Sequence, residues 1–286
     1  MSSVVIFDRP GPKGRATIAW VTAASVVVIG FALAMAVRQY WINGQFAAFR
    51  WQPFGHPAIW RFLLKGLGAT LTAAAAAAAI AIPLGIVLAV GRLSPVLPLR
   101  WLAIVVIEFF RAVPLLLIVY LFFFALPRYG LNPSMFWKLV IPIGLCDGAV
   151  LAEVFRAGVL AVPKGQSEAG ATVGLTNGQT FSSIVFPQAV RMVVPSLVAQ
   201  IVILLKDTTL AYAISYADLQ YSAQVLTSLY PTSLVQTFFI VALTYIAINM
   251  AISAGARALD QRWAAGAMGR SRSSTRNADA LEGQMA

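Results

Sequence analysis

The chain has 286 residues, of which 59% are hydrophobic and only 11% charged, with a mean hydropathy of +0.80. A water-soluble domain of this size carries about a quarter charged residues, so a solvent-covered globule is excluded and lipid must cover much of the surface. The net charge of +11 does not point to nucleic acid, because the basic residues cluster at the ends of apolar runs, where topology signals lie.

Six apolar stretches are long enough to cross a bilayer, which takes about 20 residues each. They fall near Thr17–Val37, Leu63–Gly91, Leu97–Leu126, Trp137–Val162, Pro195–Ser215 and Ser233–Ala256. The expected fold class is therefore all-α, a polytopic membrane protein of about six transmembrane helices. The first stretch has no small-residue cleavage site before Arg38 and reads as a retained helix rather than a leader. The second contains Ala73 to Ala79 without interruption. Small side chains let helix backbones approach in lipid, so this helix is predicted inside the bundle. The domain plan follows: a tail over 1–16, an extra helix over 17–37, a polytopic body over 60–256 and a polar tail over 257–286.

Orientation rests on Lys and Arg. With the N-terminus cytoplasmic, twelve of the 21 basic residues face inward, six lie outside or at the outer boundary, and Arg111, Arg156 and Lys206 remain within the membrane. The positive-inside rule then places both termini in the cytoplasm. Cys146, the one cysteine, reads as a small core residue. The one histidine, His56, stands beside Pro57 at a segment boundary with no companions for a metal site.

Between the fourth and fifth spans, residues 164–191 form a polar segment far longer than a helix–helix connection needs. Pro163 precedes its first helix, in which Glu168 is placed near the positive end of the dipole. Gly174 is placed to end that helix in the left-handed conformation. Thr176 and Gln179 have capping-box spacing, and the second helix runs to Pro187, which is expected to stop it. Either a docking element or an interfacial hairpin accounts for this pattern.

Charges at membrane depth are costly and usually face the bundle interior. Glu108 and Arg111 share one helix face, as do Glu153 and Arg156, whereas Lys206 and Asp207 are adjacent and point different ways. At about 1.5 Å per residue, Arg100 to Glu108, Glu153 to Pro163 and Pro195 to Lys206 each cover roughly 12–16 Å, which predicts one charged layer near the midplane. A substrate path through Glu108, Arg111, Glu153, Arg156, Lys206, Asp207 and Thr208 and a set of structural ion pairs both fit this layer.

The sequence resembles permease subunits of bacterial ABC importers, whose cytoplasmic signature is Glu-Ala-Ala, three residues, Gly, nine residues, then Ile-x-Leu-Pro. Here Glu168, Ala169 and Gly170, then Gly174, then Ile184 to Pro187 keep that spacing; Gly170 and Phe186 depart from it. Residues 108–114 (EFFRAVP), 153–158 (EVFRAG) with 163–166 (PKGQ), and 205–211 (LKDTTLA) are similar to segments of the polar amino-acid branch, the histidine and glutamate permeases. The start Asp8 to Arg15 and the extra first helix resemble an actinobacterial glutamate permease, although Val150 stands where Tyr is more usual.

The resemblance implies a type I importer transmembrane domain in a cell membrane. It further implies a coupling segment over 164–187 (Glu168, Ala169, Gly170, Gly174, Ile184, Pro187), separate ABC ATPase subunits, an extracytoplasmic substrate-binding protein and a second permease subunit in a homo- or heterodimer. No GxxxxGK[ST] loop is present, so the chain is expected to bind no cofactor and to be no enzyme, with ATP used by the partner. Glutamate is the implied substrate, although Glu108, Asp147, Glu153 and Asp207 suit a basic one equally. An ion-coupled secondary transporter is the alternative; no inverted repeat supports it.

Overall fold

The structure is a computed structural model that describes residues 11–255 and Ala258. The predicted tails lie largely outside the described residues. The chain divides into two compact units at His56/Pro57.

The first unit holds α1 (Pro12–Ile42) and a 3₁₀ turn (Ala48–Gly55). Pro12 opens α1 at the position where a missing N–H costs nothing. The helix is longer than the predicted 17–37 span, and none of its residues is buried.

The second unit is a helical bundle. It comprises α2 (Pro57–Leu93), α3 (Leu97–Ala112), α4 (Leu115–Arg128), α5 (Met135–Ala161), α6 (Lys164–Thr172), α7 (Asn177–Thr180), α8 (Phe186–Asp207), α9 (Leu219–Leu229) and α10 (residues 234–255). Among the described residues, five helical stretches are long and apolar enough to cross a membrane, and a sixth is obtained by joining α3 and α4.

The central pair is α2 with α5. The alanine run puts Ala73 and Ala77 at 0% exposure, as its small side chains predict, and Ala81 one turn on is buried to the same extent. Glycines set the approach. A Cβ on Gly144 would lie 2.8 Å from Ile80 Cβ, and one on Gly85 would lie 2.8 Å from Leu151 Cβ. Contacts that rise together in both helices mean that the two run in the same direction. Against α5, α8 runs the other way: Gly158 faces Val193, while Asp147 bonds Gln200.

The predicted span Leu97–Leu126 is broken. α3 and α4 meet at 96°. Pro114 supplies no N–H and holds Val113 in extended backbone (φ −83°, ψ 129°), which is the restriction proline places on the residue before it.

The fifth span also starts earlier than its predicted limit at Pro195. Pro187 does not end the helix of the polar segment. A π-type turn over Phe181–Val185 leads straight into α8, and Pro187 falls in its first turn, where the missing N–H is tolerated. Gln188 Nε2 donates to the Ile184 carbonyl at 2.9 Å.

At the far end of α8 a 3₁₀ turn (Thr208–Ile214) closes on Ser215 in the left-handed region. Asp218 then caps α9, its Oδ1 accepting from the Tyr221 N–H at 2.7 Å. Thr70 Oγ1 accepts from the Leu219 N–H at 3.1 Å, which fastens the start of α9 to α2.

Candidate functional site

Three helices bring opposite charges together near the end of the bundle that carries α6 and α7. Arg92, in the last turn of α2, donates to Glu108 Oε1 of α3 at 3.1 Å and reaches Glu153 Oε1 of α5 at 2.7 Å. The predicted pairs within each helix are also present, Arg111–Glu108 at 3.5 Å and Arg156–Glu153 at 2.9 Å. Five charged side chains thus form one network. Arg92 is one of the twelve inward-facing basic residues that the positive-inside rule uses. Its partners lie far along the chain, so local spacing gave no sign of them.

Beyond this network is a cavity of about 370 Å³ at the α3/α4 break, bordered by Arg111, Pro114, Asp147, Gln200 and Asp207. The break explains its position, since the bent chain leaves room that a straight span would fill. Gln200 Nε2 donates to Asp147 Oδ1 at 2.6 Å. From the sequence Asp147 shows only a charge, and nothing marks Gln200 as its partner. The available signal was a carboxylate at membrane depth, which always needs an interior partner.

The predicted single layer of charge does not form. Asp147 and Gln200 fix the register of α5 against α8. From that level Glu153 lies about 9 Å toward α6, while Asp207 lies about 10 Å the other way, at about 1.5 Å per residue. Lys206 lies deeper than its spacing from Pro195 predicts because α8 begins at Phe186, nine residues before Pro195; those residues add about 13 Å.

Lys206, Asp207 and Thr208 also part company. Asp207 borders the cavity, and Thr208 is fully buried with its Oγ1 donating to the Leu205 carbonyl at 2.7 Å. Lys206 lines a separate groove of about 610 Å³ with Thr209, Tyr245, Asn249 and Ser253.

The polar segment is a helical hairpin. α6 ends on Gly174 at φ +79°, with the Leu175 N–H donating to the Gly170 carbonyl at 3.1 Å, a Schellman closure. Thr176 and Gln179 form the expected capping box at the start of α7. Glu168 lies in the second turn of α6 rather than the first, further from the positive end of the dipole than predicted. Gly170 packs on Thr180, and Gln188 Nε2 donates to Gln166 Oε1 at 3.1 Å, tying α6 to α8.

Residues 81–265 match the family model described as the binding-protein-dependent transport system inner membrane component. This match takes in the broken span, the charge network, the cavity and the hairpin. The chain belongs to that family.

Its relatives include the glutamate transport system permease protein GluD of Corynebacterium glutamicum, 35% identical over 78% of this chain and 83% of GluD. The probable glutamine ABC transporter permease protein GlnM of Bacillus subtilis is 35% identical over 70% of this chain and 92% of its own length. Among solved structures, an amino acid ABC transporter crystallised with histidines matches with a TM-score of 0.66 and 27% identity, over 71% of this chain and 94% of that one. The MetNI methionine ABC transporter, at 17% identity and a TM-score of 0.56 over 71% of this chain and 98% of that one, shares the fold. The chain is thus an amino-acid ABC importer permease with a type I transmembrane domain, and a multi-pass membrane protein.

Proposed function

We propose that this permease forms the membrane path for a polar amino acid, glutamate first among them, in an importer driven by ATP hydrolysis on separate subunits. The observation that carries this reading is the cavity at the broken span. Arg111, Asp147, Gln200 and Asp207 border it, and polar groups at that depth are maintained where they meet a solute or water rather than lipid. Glutamate is favoured by the similarity to GluD, and Arg111 offers a cation for a carboxylate.

On this reading the hairpin over 164–187 docks on the ATPase from the cytoplasm. Glu168, Ala169, Gly170, Gly174, Ile184 and Pro187 set its shape. Both termini face the cytoplasm, an extracytoplasmic protein delivers the substrate, and a second permease chain completes the path. The network of Arg92, Glu108, Arg111, Glu153 and Arg156 links the hairpin end of the bundle to the cavity, while Lys206 and Thr208 carry the path onward.

The test is to co-purify the permease with its ATPase and measure ATP hydrolysis in nanodiscs with the substrate-binding protein and a panel of polar amino acids. Hydrolysis should rise with L-glutamate. A complex that responds to a different amino acid overturns the glutamate assignment, and a permease that retains no ATPase overturns the docking role.

A further inference from the structure

Asp147 stands in the middle of α5 and is 4% exposed. Its Oδ1 accepts from Gln200, whereas Oδ2 is shielded from solvent and meets no donor. An amide at this position would hold Gln200 equally well through its own carbonyl, so the Gln200 contact does not account for a negative charge here. The backbone beneath the side chain is fixed. Gly144 and Gly148 on either side lie against Ile80 and Leu84, so α5 cannot roll to carry the carboxylate elsewhere.

The cavity beside it has two chemical characters. Asp147 and Asp207 supply negative charge; Arg111 supplies positive charge, and Pro114 and Leu115 bring the start of α4 to the same space. The first N–H groups of a helix have no partner within it and form its positive end. In membrane transport proteins such half-helix starts point at anionic groups. A volume of about 370 Å³ falls in the range of small-molecule sites. A bare metal ion fits poorly, since no group of three or more His, Cys, Asp or Glu side chains comes together among the described residues.

We propose that Asp147 receives the ammonium group of an amino-acid substrate held in this cavity, with Arg111 and the start of α4 receiving its carboxylate. The carboxyl torsion is soft and nearly two-fold, so a small rotation presents an oxygen to the ammonium while Gln200 keeps the other. The proposal rests on the reading of the cavity as the substrate path.

The test uses the permease–ATPase complex in nanodiscs without the substrate-binding protein, so that only the membrane subunits select. Binding of L-glutamate is compared with that of glutarate, which lacks the ammonium. In the wild-type complex glutarate should bind about 10- to 100-fold more weakly, the scale of one charge-assisted hydrogen bond. Asp147→Asn should weaken L-glutamate by a similar factor and leave glutarate within about two-fold. Equal wild-type binding of the two ligands overturns the proposal, as does undiminished binding of L-glutamate by Asp147→Asn. If the variant fails to assemble, the wild-type comparison decides alone. A wild-type complex that binds no polar amino acid contradicts the substrate-path reading itself, and the proposal falls with it.

Discussion

A methyl group placed on Gly170 would lie 2.7 Å from Thr180 Cγ2 and 2.8 Å from Thr180 Oγ1, so the two residues share one space between α6 and α7. The importer signature has alanine at this position. Here the threonine takes the volume that the alanine methyl would occupy. Gly170→Ala should therefore lower thermal stability of the purified complex by about 1–3 kcal/mol, the usual cost of overpacking. Adding Thr180→Ala should recover most of it. Additive losses in the double variant would show that the two sites do not interact.

Gly174 carries the turn between α6 and α7 at φ +79°, with no side chain near enough to obstruct a Cβ. Backbone strain is then the whole effect of substitution. Gly174→Val should cost about 1–2 kcal/mol locally and impair uptake while leaving membrane insertion intact. Gly174→Asn should retain most of the activity, because asparagine tolerates this region better. Normal uptake by the valine variant, with the ATPase still bound, would count against the hairpin as the coupling element.

Arg92 joins Glu108 and Glu153 at 3.1 and 2.7 Å. Arg92→Gln removes the cation between two carboxylates on different helices. The loss should be about 1–3 kcal/mol for hydrogen bonds to charged groups, read as a lower melting temperature of the complex. Both contacts come from a single nitrogen, Nη1, and an ammonium also has several donors on one nitrogen, so Arg92→Lys should recover most of the loss. A glutamine variant as stable as wild type would show that the bridge between α3 and α5 is not required.

Lys206 opens onto the groove with Asn249 and Ser253 and is exposed in the single chain. Lys206→Met keeps the apolar stem and removes the charge. If the groove belongs to the path, uptake falls or substrate preference shifts while the complex assembles in its normal stoichiometry. Loss of assembly would identify the lysine as a partner to a buried carboxylate. Normal uptake and normal assembly together would remove Lys206 from the path.

Much of this architecture can be read from local pattern. Apolar runs marked the long helices, the alanine stretch marked the buried helix α2, and Gly174, Thr176 and Gln179 marked the hairpin, because caps and turns depend on neighbours a few residues apart. The break at Pro114 was signalled by the proline itself, yet a continuous apolar run from Leu97 to Leu126 hid it. Arg92 and Gln200 were not legible. Their partners stand 16 and 53 residues away, and only the packing of α2 on α3 and of α8 on α5 brings them together. Lys206 lies deeper than its spacing from Pro195 predicts because the helix continues through Pro187.

The proposed drive for amino-acid movement through this chain is ATP hydrolysis and not an ion gradient. It is tested most directly by uptake of labelled L-glutamate into proteoliposomes that contain the permease, its ATPase and the binding protein. Uptake should continue when ionophores collapse every ion gradient and cease when ATP is withheld. Uptake that survives without ATP and stops with the ionophores would contradict the account and make the protein an ion-coupled carrier.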